Sequence, residues 1–579
     1  MSSILLKNPP QSNTVRPDSD DWERNPRAIH EKNLLAGTPR LIGGEIRLFE
    51  GKGMNRNSGR GEGIVLIHPP MAKACEAPGG LARLAGTLRC HGIACRLWDA
   101  NLEGQLALLA SAASDTDARG GNAWTRRAAR HWEQNLAALR FRGLYAKPDN
   151  YRRTVADVNR LVAVAAKPYG VRLSLADYEA GSLSPLRSDD LLHAAAAPEA
   201  NPFHRWFREW FPEVMAETPV STVGFSLNYL SQALTAFAMI GLIRSAAPHL
   251  RIVLGGGLVT SWMRSPGWRN PFGGLVDTMI AGPGEASLLA LFGKSHDRGC
   301  DQPDLDGFPL RDYLAPGLIL PYSASSGCWW RRCSFCPEGA EGNPYRPTPP
   351  QRVAADLRDL TERLRPVLIH LLDNALSPSH LRAIISAPPG APWYGFTRIM
   401  PQLADPDFCK RLKDSGCVML KLGLESADPG VLEALNKGVD PAMAAVVLKN
   451  LKEAGIATYV YLLFGTPVET PEAARRTMAF TTEHAEEIGF LNLAIFNLPA
   501  YAPEAEALDT GEFYDGDLSL YRRFSHPAGW DRGQVRWFLE REFKREPAIA
   551  AILRRDPPLF TSNHAPFLVM AAARGARIE

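Results

Sequence analysis

A chain of 579 residues has the length for roughly four domains of ordinary size. Its 45% apolar and 22% charged residues are ordinary globular usage, which excludes wholesale disorder and a coiled coil. Lys and Arg number 65 against 62 Asp and Glu, a formal charge of +3, so the basic excess of a dedicated nucleic-acid binder is missing.

Residues 1–60 are rich in Asn, Pro, Gly and charge and read as an N-terminal extension. Its apolar run Ile4-Leu5-Leu6 is far shorter than a secretory core, and no run of 18 apolar residues occurs, so no membrane span is expected. An alternating strand–helix rhythm fills 61–300. A buried strand over 63–68 ends in Pro69-Pro70, a helix covers 81–91, and a second strand covers 93–98. The stretch 105–215 is Ala-, Arg- and Trp-rich with helical periodicity and reads as a helical insert. Strands resume at 222–226, 252–255 and 278–281, with a helix over 232–245. Strands alternating with helices predict a doubly wound, Rossmann-like parallel sheet whose ligands sit at the carboxyl ends of its strands.

The link 301–309 is rich in Pro, Asp and Gly. Six strand candidates follow, at 319–325, 367–372, 393–398, 418–424, 458–464 and 491–496, with helical stretches between them. Six such units over 310–500 predict a partial (β/α)6 barrel. The remainder, 501–579, reads as a helical or irregular carboxyl-terminal extension.

Nine cysteines are too few for a disulfide scaffold. A reducing cytoplasm is the expected compartment, where Cys75, Cys90, Cys95, Cys300, Cys409 and Cys417 read as isolated buried thiols. The other three, Cys328, Cys333 and Cys336, fall within nine positions just after the first barrel strand. Three thiolates on one loop can ligate one metal centre. Zinc wants a fourth Cys or His nearby, and none lies between Cys336 and His370. A 4Fe–4S cluster ordinarily takes four thiolates, so three leave one iron open. Zinc or free thiols are the alternative reading of the same spacing.

Cys328-x4-Cys333-x2-Cys336 after a strand, in a six-unit barrel, resembles the radical S-adenosylmethionine (SAM) superfamily. The usual family spacing has one residue fewer in the first gap; a longer gap with Trp after the first cysteine resembles members that carry a cobalamin domain. The resemblance implies a 4Fe–4S cluster on the three cysteines, with Phe335 between the last two. It extends to Asp373 at the second strand end, Arg398 at the third, and Glu425-Ser426 in the segment lying against the SAM ribose. Gly465 and Pro467 match the fifth-strand turn near adenine. No segment matching the family's G-G-E, which often holds the SAM amino group, is found.

The amino-terminal sheet is similar to the cobalamin-binding domain of many such proteins. Pro69 and Pro70 end its first strand, Ser226 and Leu227 precede Gly255, Gly256 and Gly257, and Gly282, Gly284 and Glu285 follow the last strand. Domains that supply a lower histidine ligand read D-x-H-x-x-G; here Asn101 stands at the histidine position, which implies cobalamin without a protein ligand below.

The resemblance therefore implies three cofactors, a 4Fe–4S cluster, SAM and cobalamin, and C-methylation of an unactivated carbon through a 5′-deoxyadenosyl radical. A radical cyclase or rearrangement enzyme, or a non-catalytic corrinoid-binding protein, are the alternatives. Small-molecule, lipid and peptide substrates all stay open, and the family uses an electron donor such as flavodoxin or ferredoxin. No nucleic-acid partner is expected.

Overall fold

The computed structural model describes residues 63–115, 121–216, 220–558 and 564–575; the extension 1–60 lies outside them. Five strands build the first sheet: β1 (Gly63–Ile67), β2 (Ala94–Trp98), β3 (Thr222–Ser226), β4 (Arg251–Gly255) and β5 (Thr278–Met279). Their order is β2-β1-β3-β4-β5, and every pairing is parallel. All five residues of β1 are buried, as a strand covered on both faces requires. The order is that of the flavodoxin-like variant of a doubly wound sheet, whose switch point lies between β1 and β3.

Helix α1 (Gly79–Cys90) begins after Pro78 and stops at His91 and Gly92. Gly92 takes φ +74°, and Ile93 N then donates to Leu88 O at 3.0 Å, closing the last turn. Helix α2 (Ala100–Ser114) is capped by Asp99, whose Oδ1 accepts from Leu102 N at 3.0 Å. Beyond α2 the described residues are mainly helical up to Ala216, with one short hairpin among them, Val171–Leu173 against Tyr178–Ala180. Helix α3 (Leu230–Ala246) is buried on nearly all sides. It lies so close to the preceding helical stretch that a Cβ on Gly241 would stand 1.9 Å from Ala195 O.

The barrel sheet runs β6 (Ile319–Tyr322), β7 (Leu368–Leu376), β8 (Trp393–Thr397), β9 (Cys417–Glu425), β10 (Ala457–Phe464) and β11 (Phe490–Ile495). Each strand pairs in parallel with the next, giving six strands in sequence order. Five of the helices between them share one local device. Ser377, Asp405, Asp428, Asp440 and Thr470 each cap a helix with their side chain, and each is followed by Pro at the first helical position. The cap satisfies an orphan N–H, while Pro has none to satisfy. The carboxyl-terminal extension is not wholly helical. Leu498–Pro499, Tyr521–Phe524 and Thr510–Glu512 form a small antiparallel sheet, whose strands are too short to show alternation in the sequence.

Cys90 and Cys300 correct the expectation of isolated thiols: they form a disulfide between α1 and the start of the 301–309 link. They are 210 residues apart in sequence, and only the return of the chain to α1 brings them together.

The sheet and the barrel meet through buried polar contacts. Glu76, on the loop after β1, bonds His370 Nδ1 of β7 at 2.9 and 3.0 Å, and His370 Nε2 lies 3.1 Å from Lys421 Nζ of β9. The carboxylate fixes the histidine proton on Nδ1, so Nε2 accepts from the lysine. His370 stacks on Tyr394 at 4.3 Å, and Lys421 lies 5.0 Å from the same ring. Burial pushes the Lys421 ammonium down to about 8. Below this level the barrel interior is filled by Tyr394, Met419, Tyr459, Tyr461 and Phe490, with Ala565 of the last helix packed against them.

Gly256 decides the geometry at the β4 end. It takes φ +109°, and a Cβ there would lie 2.4 Å from Leu227 O. Gly256→Ala is expected to cost roughly 1–3 kcal/mol from backbone strain alone, read as a lower melting temperature than that of Gly273→Ala, an open-space control without a left-handed φ. Equal melting temperatures would contradict this reading.

Candidate active site

The cysteine loop leaves β6 and is closed at its root by Ser325–Ser326 pairing with Arg346–Pro347. Gly327 turns the chain at φ +74°, where a Cβ would meet Pro344 O at 2.5 Å. Cys336 N donates to Cys333 O at 3.3 Å, and Gly339 and Ala340 N donate to Cys336 O at 3.0 and 3.1 Å, so the last two cysteines share one turn. Phe335 between them is 7% exposed and anchors the loop in a core cluster with Val431 and Leu435.

Asp373 holds the root of this loop. Its Oδ2 accepts from Ala324 N at 2.9 Å and its Oδ1 from Ser325 Oγ at 2.5 Å. Arg398 Nη1 lies 3.8 Å from Cys333 Sγ. Glu425 ends β9 at a register shift against β10 and takes φ +69°, a strained conformation for a side-chain-bearing residue. Its Oε1 binds Lys437 Nζ at 2.8 Å, with both side chains almost fully buried. Lys437 also lies 5.5 Å from the Phe335 ring. Ser426 is fully buried: Asp428 N donates to its Oγ at 3.1 Å, and Thr477 Oγ1 is 3.1 Å from the same atom.

The turn after β10 starts at Gly465, at φ +76°. Pro467 is half-buried. Glu469 Oε2 accepts from Gly465 N at 2.5 Å and from Trp530 Nε1 at 2.9 Å, whereas buried Glu469 Oε1 and Thr466 Oγ1 find no hydrogen-bond partner. Burial pushes the Glu469 carboxyl up to about 7. The unfolded chain loses this proton near the ordinary 4.5 and the folded chain only near 7. Stability therefore falls as pH rises through that window, by at most about 3 kcal/mol. Glu469→Gln, which does not ionise, is expected to gain unfolding free energy relative to the parent between pH 5 and pH 8. A constant difference across that range would contradict the assignment.

The thiols themselves are not gathered into a metal geometry: among the described residues no three His, Cys, Asp or Glu side chains are so arranged. Their chemistry nevertheless suits an iron–sulfur centre. Burial pushes the Cys336 thiol up to about 12 and raises that of Cys333, against the pull of Lys437 and Arg398. Free thiolates are costly there, and a bound metal deprotonates a thiol outright. The Arg398 guanidinium beside Cys333 would offset part of the charge of a thiolate-ligated centre.

The residues expected at the other half of the candidate site lie at the carboxyl edge of the first sheet. His68, Pro69 and Pro70 are buried at the end of β1. Ser226, Leu227, Gly255, Gly256 and Gly257 form one ledge, with Gly257 N donating to Asn228 Oδ1 at 2.9 Å. At Gly282, of φ +76°, nothing lies within 4 Å of where a Cβ would stand. Glu285, just after Gly284, is 2.6 Å from Arg83 Nε. Asn101 straps down the loop after β1, its Oδ1 accepting from Ala72 N and Gln105 Nε2, both at 2.8 Å.

One carboxylate joins the two halves. Glu341, five residues after Cys336, accepts from Ser261 Oγ at 2.5 Å, Tyr501 OH at 2.8 Å and Asn343 Nδ2 at 2.8 Å. Ser261 lies on α4 (Gly257–Arg264), the helix that starts from the glycine ledge. Sequence reading passes over Glu341, a single polar residue whose partners Ser261 and Tyr501 come from segments distant in sequence.

With a parallel six-strand barrel and a cysteine loop after its first strand in view, comparison with known proteins is decisive for the barrel. The Radical SAM superfamily profile matches residues 322–481. These residues form a radical SAM domain. An uncharacterized methyltransferase of Pyrococcus horikoshii is 28% identical over 192 residues, 31% of this chain and 40% of that protein. The bacteriochlorophyllide d C-12(1)-methyltransferase of Chlorobaculum tepidum is 26% identical over 183 residues, 30% of this chain and 40% of that protein. The chain thus matches about two fifths of the length of these curated relatives. Among solved structures, the radical SAM methyltransferase TsrM of Kitasatospora setae, with tryptophan substrate and a SAM analogue bound, aligns with 85% of this chain and 89% of its own. Identity is 15% and the TM-score is 0.49. Among the described residues no helix is long and apolar enough to cross a membrane.

Proposed function

We propose that this chain is a cobalamin-dependent radical SAM methyltransferase acting on an unactivated carbon. The proposal divides the work between a cobalamin-binding sheet over 61–300, with its helical insert over 105–215, and the radical SAM barrel over 310–500. The observation that carries it is the pinning of the glycine ledge to the cysteine loop through Glu341, which brings the carboxyl end of the first sheet to the cysteine loop of the barrel.

When bound, the cluster with SAM supplies hydrogen abstraction from carbon, and cobalamin supplies the methyl group. Cys328, Cys333 and Cys336 would hold the cluster, with Arg398 offsetting part of its negative charge. Asp373 and Phe335 keep the loop root and tip in place. Ser426 and the Gly465–Pro467 turn would border SAM, and the orphaned oxygens of Thr466 and Glu469 mark polar capacity there. Ser226, Leu227, the Gly255–Gly257 ledge, Gly282, Gly284 and Glu285 would cradle cobalamin, with Pro69 and Pro70 beside it. Asn101 Oδ1 already accepts from Ala72 N and Gln105 Nε2, so Asn101 would not serve as a ligand to cobalamin. The filled barrel floor excludes water from below. Lipid, peptide and small-molecule substrates, a flavodoxin or ferredoxin donor and a cytoplasmic setting all agree with this reading.

The test needs no substrate. Protein reconstituted anaerobically with iron, sulfide and hydroxocobalamin is expected to move label from methyl-labelled SAM onto its corrinoid under reduction. Loss of the label step with the cluster intact would turn the reading toward a radical cyclase or rearrangement enzyme.

A further inference from the structure

The surroundings of Cys333 contain more than ligand-holding requires. The extra residue in the first cysteine gap accompanies two successive tryptophans. Trp329 Nε1 donates to Leu376 O at the end of β7 at 3.3 Å, and Trp330 Nε1 donates to Asn436 O at 3.1 Å. The Trp330 ring occupies space that Gly438 leaves open: a Cβ at Gly438, of φ +63°, would stand 2.3 Å from ring atom Cζ2. Arg398 lies over this ring, its guanidinium carbon 4.1 Å from the centroid, and its Nη2 donates to Lys437 O. Ring and carbonyl together fix the plane of a side chain that is only 5% exposed. That leaves Nη1 directed at Cys333 Sγ, 3.8 Å away. The other nearby cation, Lys437, already has its charge matched by Glu425.

A planar guanidinium held by stacking is always charged and loses little freedom on bonding. Reduction of an iron–sulfur cluster adds one electron, supplied by an external low-potential donor, and makes the centre more negative. A fixed cation and N–H donor at a ligand sulfur favours that state, the more so in a medium of low dielectric. We propose that Arg398, clamped by Trp330 and Lys437 O, is a positioning residue that acts through the Cys333 thiolate to raise the reduction potential of the cluster. This rests on the radical SAM reading above and assigns the long first gap a purpose: it delivers Trp330 to Arg398.

The test is a redox titration of the reconstituted cluster, followed by electron paramagnetic resonance in the absence of SAM. Arg398→Gln is expected to shift the midpoint to a more negative potential, and Arg398→Lys to restore part of the shift. Trp330→Ala is expected to shift it the same way by less, while Trp330→Phe, which keeps a ring face, stays near the parent. Adding Trp330→Ala to Arg398→Gln should produce little further change. An unchanged midpoint in Arg398→Gln would overturn the proposal. So would an unchanged midpoint with weakened SAM binding, which would place Arg398 on SAM instead. If Arg398→Gln holds no iron, Trp330→Ala decides alone, and a midpoint equal to the parent's overturns the idea. Failure of the parent protein to take up a cluster would sink the radical SAM reading, a separate outcome.

Discussion

Lys437→Met is expected to destabilise the barrel by about 3–5 kcal/mol, the cost of leaving one member of a buried ion pair without its counter-charge. Glu425 and Lys437 are only 4% and 2% exposed in their side chains, and they meet at 2.8 Å. The carboxylate cannot relax toward solvent, because it sits at a bulge of β9 where the backbone is already in the left-handed region. A Cβ on Gly423 would lie 2.6 Å from Glu425 Oε1 and 2.7 Å from Lys437 Nζ, so the pair is also packed against the strand's own backbone. The double variant Glu425→Leu/Lys437→Met should recover most of the loss, since replacing both charges removes the uncompensated one. Chemical denaturation of the full chain reads both values. A cost below about 1 kcal/mol for the single variant would mean that the pair behaves like an exposed one.

Cys328→Ala, Cys333→Ala and Cys336→Ala are each expected to abolish stable iron–sulfur loading while leaving the fold intact. The three residues are half-buried on a loop whose root is secured elsewhere, by Gly327, Asp373 and the Ser325–Ser326 pairing. Loss of a thiol there opens no large cavity, so the melting temperature of the apoprotein should change little. Iron and sulfide content after anaerobic reconstitution should fall from near four per chain to background, because two thiolates do not hold a cluster that already has one open iron. Cys409→Ala is the control. It sits buried on the helix after β8, with its thiol 3.3 Å from Leu403 O, and should leave iron content unchanged. Full iron in all three loop variants would remove the cysteine loop from the site.

The fold was legible where its cause is local. The six barrel strands are short apolar runs set between polar helices, and Asp-Pro, Ser-Pro and Thr-Pro pairs mark where several of those helices begin. The cysteine spacing is local as well, and so are the glycines that turn the chain at β4. What escaped detection was contact between distant segments. Glu76 and His370 are 294 residues apart, His370 and Lys421 are 51 apart, and nothing in either neighbourhood announces the other. The same holds for Cys90 and Cys300 and for Glu341, whose three donors come from the first sheet, the cysteine loop and the carboxyl-terminal extension. Asn101 shows the reverse case. Asp99-Ala100-Asn101 stands where related domains place a histidine ligand, and the structure occupies Asp99 with a helix cap and Tyr313, and Asn101 with the loop after β1.

The central claim is that the cysteine loop holds a SAM-cleaving cluster, and 5′-deoxyadenosine measures it most directly. Anaerobically reconstituted protein, given SAM and a low-potential reductant, should form it, and Cys336→Ala should not. No 5′-deoxyadenosine from protein carrying its full iron, or undiminished formation by Cys336→Ala with its iron lost, would contradict the account.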